Sequence, residues 1–206
     1  MELKNKDVIV FAGDSTTDAC KGADGLGNGY VRIVRNALVA FRPSHEFTIV
    51  NAGISGNKSA DLLERWDRDV TAHKPDIVFC MIGINDVWRH FDYFDPSDKF
   101  VSAETYEQNL EKICEKAKEV ERFMFMLPFY MESNRADEMR TMTDQFAAVM
   151  KNVAKKYGRP VLDTQSAFDE YMKSRPGQSI SWDRVHPNEF GSMLLARAIL
   201  KEINIW

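Results

Sequence analysis

"DVIVFAGDST" (Asp7–Thr16) runs a continuous apolar stretch into a glycine, an acid and a cluster of hydroxyls. An unbroken run of this length, closed by turn residues, is the signature of a strand buried on both faces. Four more stretches repeat the pattern. They are "FTIVNAG" (Phe47–Gly53), "DIVFCMIG" (Asp76–Gly83), "RFMFMLP" (Arg122–Pro128) and "PVLDT" (Pro160–Thr164). Helical periodicity fills the gaps between them. Leu62, Leu63, Trp66 and Val70 form one stripe after Ser59. Tyr106, Leu110, Ile113, Ala117 and Val120 form a second, with Ser102 placed to cap it. Met139, Met142, Phe146, Val149 and Val153 form a third. A last helix begins near Asn188 and turns Leu194, Leu195, Ala198 and Ile199 inward. Strands alternating with helices predict a three-layer α/β domain with a parallel sheet, here one domain over residues 1–206.

The bulk numbers narrow the function. The chain has 206 residues, 44% hydrophobic and 28% charged, with a net charge of −4 and no long run of one sign. That balance excludes nucleic acid as a main partner, because phosphate binding needs clustered Lys and Arg. No segment approaches the roughly 20 apolar residues that span a bilayer, so no membrane partner is expected. The apolar stretch near the N-terminus is too short for a signal sequence. Cys20, Cys80 and Cys114 make an odd set without CxxC spacing. A reduced, cytoplasmic setting fits them better than a disulfide framework. No His/Cys cluster has metal-ligand spacing.

In parallel α/β sheets, ligands gather beyond the carboxyl ends of the strands. Strand one ends at "GDS", strand two at "NAG" and strand three at "GIND", so three polar corners are expected to face one crevice. Ser15 is the candidate nucleophile there. A serine hydroxyl needs a base within reach, and the base needs an orienting acid. "DRVHPN" supplies both, as His186 and Asp183. His45 and His73 precede strands and fall on the wrong side of the sheet. His90, after "GINDVWR", is the one rival. Acyl transfer also needs donors for a developing oxyanion. Ser15 and Gly53 can offer backbone N–H groups, and Asn85 a side-chain amide. Asp14, Trp88 and Trp182 adjoin these residues and are candidates for substrate contact.

Two glycine-bearing stretches are decoys. "GADGLGNG" (Gly22–Gly29) has neither GxGxxG nor GK[ST], which leaves a loop at the rim of the site. "GISGN" (Gly53–Asn57) misses the GxSxG spacing by one residue, so Ser55 reads as a loop residue.

Taken in order, "GDS", "NAGISGN", "GIND" and "DRVHP" resemble the four blocks of the SGNH (GDSL-like) hydrolases. Ser15, Gly53, Asn85 and His186 match the naming residues, and Asp183 matches the triad acid. Thr16 stands where the family's spelling has leucine. The resemblance implies a flavodoxin-like α/β/α sandwich with a five-stranded sheet in the order 2-1-3-4-5, and a serine esterase that needs no cofactor. "DLLERWDRDV", "MIGINDVWRHFD", "LPFY" and "WDRVHPNEFGSMLLARAIL" are most similar to intracellular acetylxylan esterases. That implies a small ester substrate, an acetylated xylo-oligosaccharide or similar sugar, and a homo-oligomer. Other readings stay open at this point. They are a lysophospholipase, thioesterase or general small-ester acylhydrolase with the same machinery, a glycosidase built on Asp14 and Asp86, and a non-catalytic sugar- or flavin-binding module.

Overall fold

A computed structural model describes residues 1–92 and 100–206. Five strands form one parallel sheet: β1 (Val8–Gly13), β2 (Thr48–Gly53), β3 (Ile77–Met81), β4 (Arg122–Met126) and β5 (Val161–Leu162). Their spatial order is β2-β1-β3-β4-β5. All five expected strands form. The last is only two residues long, because Asp163 turns at once to cap the next helix by accepting from the Ser166 N–H.

Alternate residues of the strands feed two separate cores, as the pleat requires. Val10, Ala12, Val78, Cys80, Phe123 and Phe125 point to one face. There they meet α3 (Ser59–Asp69), α5 (Ala103–Lys116) and α6 (Glu138–Lys156), with Trp66, Leu110 and Met150 fully buried. Ile9, Phe11, Ile77, Phe79, Met124 and Met126 point to the other face. They are covered by α2 (Tyr30–Phe41), α7 (Thr164–Met172) and α8 (Glu189–Glu202). Capping follows the sequence closely. Ser102 Oγ accepts from the Thr105 N–H at 3.1 Å, and Asn188 Oδ1 accepts from the N–H groups of Phe190 and Gly191.

Register places the site. Gly13 pairs with Gly53 on one side and Met81 on the other, so β1, β2 and β3 end side by side. A short helix follows β1 at once, α1 (Ser15–Asp18), and another follows β3, α4 (Ile84–Trp88). At the opposite end of the sheet Arg122 donates two hydrogen bonds to the Asp7 carboxylate, at 2.6 and 2.7 Å. No helix of the described residues is long and apolar enough to cross a membrane.

Candidate active site

Ser15 is the first residue of α1, so its N–H has no acceptor within the helix. Asp14 caps that helix, its Oδ1 accepting from the Thr16 N–H at 3.0 Å. The Ser15 Oγ lies 2.8 Å from His186 Nε2. On the other side of the ring, Nδ1 lies 2.5 Å from Asp183 Oδ2. The partner of the serine that follows the first strand thus arrives from a loop 171 residues further along the chain.

That loop is built to hold the pair. A β-bridge between Ser181 and Pro187 closes its neck. Asp183 Oδ1 accepts from Ser181 Oγ and from the N–H groups of Val185 and His186, at 3.0, 2.9 and 2.8 Å. Burial pushes the Asp183 carboxyl up, but these hydrogen bonds, with that of the His186 ring, outweigh it and hold the group below the usual carboxylate range. An ionised Asp183 can only accept. The imidazole proton therefore sits on Nδ1, and Nε2 is left free to accept from Ser15.

The rival histidine has other work. His90 Nε2 lies 3.1 Å from the Val101 carbonyl, and its ring stacks on Phe100.

Asn85, in α4, is 2% exposed. Its Nδ2 gives one hydrogen to the Asn57 carbonyl at 3.1 Å, which leaves a second N–H on the same nitrogen. Gly53 does not behave as expected. Its N–H is buried and donates to Asn51 Oδ1 at 3.0 Å, so it cannot also point at a substrate. Its carbonyl accepts from Lys21 Nζ at 2.5 Å. The next glycine, Gly56, lies in an exposed turn at φ +82°, and its N–H has no acceptor among the described residues. Ser55 of the same turn faces the cleft that holds Ser15.

This cleft has a volume of about 440 Å³. Besides Ser15, Ser55 and His186 it is lined by Asn28 and Gly29 from the glycine-bearing loop, and by Trp182. Trp182 is 83% exposed, with its ring free at the mouth. Trp88 stands elsewhere. It packs edge-on against the His186 ring and borders a second cleft with Asp183 and Arg184. Asp14 does not meet substrate either. It is 1% exposed and committed to its cap, and burial pushes its carboxyl up to about 7. Asp86 is equally hidden. It accepts from the N–H and Oγ of Ser59, and burial pushes it up to about 6. Two carboxyl groups this buried, and tied to backbone, are out of a sugar's reach, which counts against the glycosidase reading. Among the described residues, no group of three or more His, Cys, Asp or Glu is placed to hold a metal ion.

Comparison with known proteins agrees with this geometry. Residues 11–194 match the model of the GDSL-like lipase/acylhydrolase family. The chain belongs to that family. It is a carboxylic ester hydrolase of the SGNH type. An acetylxylan esterase of Geobacillus stearothermophilus is 42% identical over 211 residues, covering 98% of this chain and 96% of the relative. The crystal structure of that organism's acetylxylan esterase Axe2 superposes with a TM-score of 0.92 at 41% identity, covering 98% and 96% of the two chains. LAE5, an enzyme from the metagenome of Lake Arreo, superposes with the same score at 38% identity, covering 97% and 95%. Catalytic mutants of Axe2 with a serine, a histidine or an aspartate replaced by alanine are also among the similar structures.

Several residues at the site escape a reading by motif. Asn51 donates to the carbonyls of Thr17 and Leu26, at 2.6 and 2.9 Å, and so ties β2 to α1 and to the rim loop. Arg65 is 7% exposed in the middle of α3. Its one sequence signal is a position three residues after Leu62, on the apolar stripe rather than the wet face.

Proposed function

We propose that this hydrolase removes acetyl groups from xylo-oligosaccharides or similarly acetylated sugars, through an acyl-enzyme formed on Ser15. The observation that carries the reading is the unbroken chain from Ser15 Oγ to His186 Nε2 to Asp183, at 2.8 and 2.5 Å. His186 takes the Ser15 proton as Oγ attacks the ester carbonyl. Asp183 keeps the ring in its tautomer and stabilises the imidazolium. His186 then protonates the departing sugar oxygen. Water, deprotonated in turn by His186, releases acetate and restores Ser15.

The oxyanion is received by the Ser15 N–H, the second N–H of Asn85 and the Gly56 N–H. Gly56 takes the place expected of Gly53. What supports the exchange is that Gly53 is already bonded to Asn51, whereas the Gly56 donor has no acceptor among the described residues. The sugar assignment is supported by the likeness to an acetylxylan esterase across nearly the whole of both chains. Trp182, exposed at the cleft mouth, offers a face on which a pyranose ring can stack.

The test follows acetate release by NMR from acetylated xylo-oligosaccharides, beside aryl esters of rising chain length and a lysophospholipid, with Ser15→Ala as control. Fast release from the sugars, falling steeply with acyl length and lost in Ser15→Ala, is expected. Wild-type turnover by folded Ser15→Ala would refute the nucleophile. Equal or better activity on the lysophospholipid would refute the substrate class.

A further inference from the structure

A guanidinium taken out of water is costly unless its N–H groups are matched. In Arg65 they are matched almost wholly at one place, the corner where β1 and β2 end. Nη2 donates to the Gly13 carbonyl and Nη1 to the Ala52 carbonyl, each at 2.8 Å. Nε donates to Asn57 Oδ1 at 2.6 Å, and Nη1 also meets Asp69 Oδ2 at 3.1 Å. Gly13 is two residues before the nucleophile. Asn57 follows Gly56, and its own carbonyl accepts from the Asn85 amide at 3.1 Å. One planar group thus braces every segment that carries an oxyanion donor. It reaches Ser15 through Gly13, Gly56 through the Asn57 side chain, and Asn85 through the Asn57 carbonyl.

We propose that Arg65 is a positioning residue for ester hydrolysis, whose forked hydrogen bonds to Gly13, Ala52 and Asn57 set the spacing of the three oxyanion donors. The proposal rests on the oxyanion assignment above. It explains why a charge occupies the apolar stripe of α3. Lysine cannot replace it, because an ammonium has no fixed fork with which to span three acceptors.

The experiment compares Arg65→Met, Arg65→Lys and Asn57→Ala, each alone and combined with Asn85→Ala, on an aryl acetate. Active sites are counted by fluorophosphonate labelling, so that kcat is read per competent site. Arg65→Met and Asn57→Ala should each lower kcat about 10- to 100-fold, since misplacement of catalytic groups by about 1 Å costs up to about 100-fold. KM should stay within about threefold, and Arg65→Lys should recover only part of the loss. In the Asn85→Ala background the same changes should cost clearly less than they do alone, because one of the three braced donors is already gone. Asn57→Ala alters only a partly exposed side chain, so it decides the matter if Arg65→Met fails to fold. Losses confined to the number of labelled sites, or losses that multiply in full with Asn85→Ala, would reduce Arg65 to a staple of the fold. Wild-type kcat in Asn57→Ala and Arg65→Met beside a crippled Asn85→Ala would overturn the positioning role alone. Wild-type kcat in Asn85→Ala would overturn the oxyanion assignment and this proposal with it.

Discussion

The indole of Trp88 stands edge-on to the imidazole of His186, with ring centroids 5.7 Å apart and planes inclined by 62°. Trp88 closes the five-residue helix that also carries Asn85. On the proposed mechanism one turn of helix therefore supplies an oxyanion donor and backs the general base. An aromatic edge contact contributes about 0.5–1.5 kcal/mol, and 1.36 kcal/mol is about tenfold in rate. Trp88→Leu should accordingly lower kcat by up to about tenfold, with little change in KM. Steady-state kinetics on an aryl acetate check this, and an unchanged kcat would free Trp88 of any part in holding the ring.

Asp183 has two jobs that one substitution separates. Its Oδ1 binds the loop through Ser181, Val185 and the His186 N–H, while Oδ2 faces the imidazole. Asp183→Asn can keep the first set with its carbonyl oxygen. Its amide then donates toward Nδ1 and selects the wrong tautomer. Loss of about 10⁴ in kcat is the expected scale, with the thermal midpoint little changed. A folded Asp183→Asn enzyme within tenfold of wild type would show that the aspartate does not set the tautomer.

What the sequence made legible, and what it hid, follows from how local each signal was. Strands β1 to β4 could be read because each is a continuous apolar run, and the sheet buries both of its faces. The meeting of Ser15, His186 and Asp183 could be anticipated because the proposed nucleophile and base demand particular residue types, and these stand beyond the strand ends. Helices 30–41 and 164–172 went unsingled. The first carries Tyr30, Val31, Val34 and Leu38 inward but emerges from a glycine-bearing loop, and the second buries only Thr164, Gln165 and Phe168. Gly53 misled for a different reason. A glycine at a strand end looks like an open donor, and only the fold brings Asn51 Oδ1 back onto its N–H two residues away. Arg65 likewise acts on Gly13, 52 residues distant, which no local pattern encodes.

The two glycines make opposite predictions. A Cβ on Gly53 would run into the backbone of Thr17 and Asp18, whereas one on Gly56 would meet open space. Gly53→Ala should therefore fail by stability. Overpacking costs about 1–3 kcal/mol, and each kcal/mol lowers the midpoint of a chain this size by roughly 2–4 °C. Gly56→Ala must hold φ +82°, which a side chain disfavours. Relaxation of that turn should cost kcat more than stability. Thermal melts and kinetics of both variants check the pair. A Gly56→Ala enzyme with full turnover would return the third oxyanion donor to some other group.

Asp14 links stability to pH beside Ser15. Burial carries its carboxyl from 3.8 in the open chain to about 7 in the folded protein. Between those values the folded state binds more protons than the unfolded state, so this group's contribution falls as pH rises. It is present in full below pH 3.8 and is lost as pH passes through about 7. Asp14→Asn keeps an effective helix cap, because asparagine serves that position as well as aspartate, and it removes the titration. The variant and the wild type should melt together near pH 4. The variant should pull ahead progressively to pH 8, as followed by thermal melts at half-unit steps. A gap that stays constant from pH 5 to 8, or a wild type that is the more stable at pH 8, would mean that Asp14 is ionised at no cost in the folded enzyme.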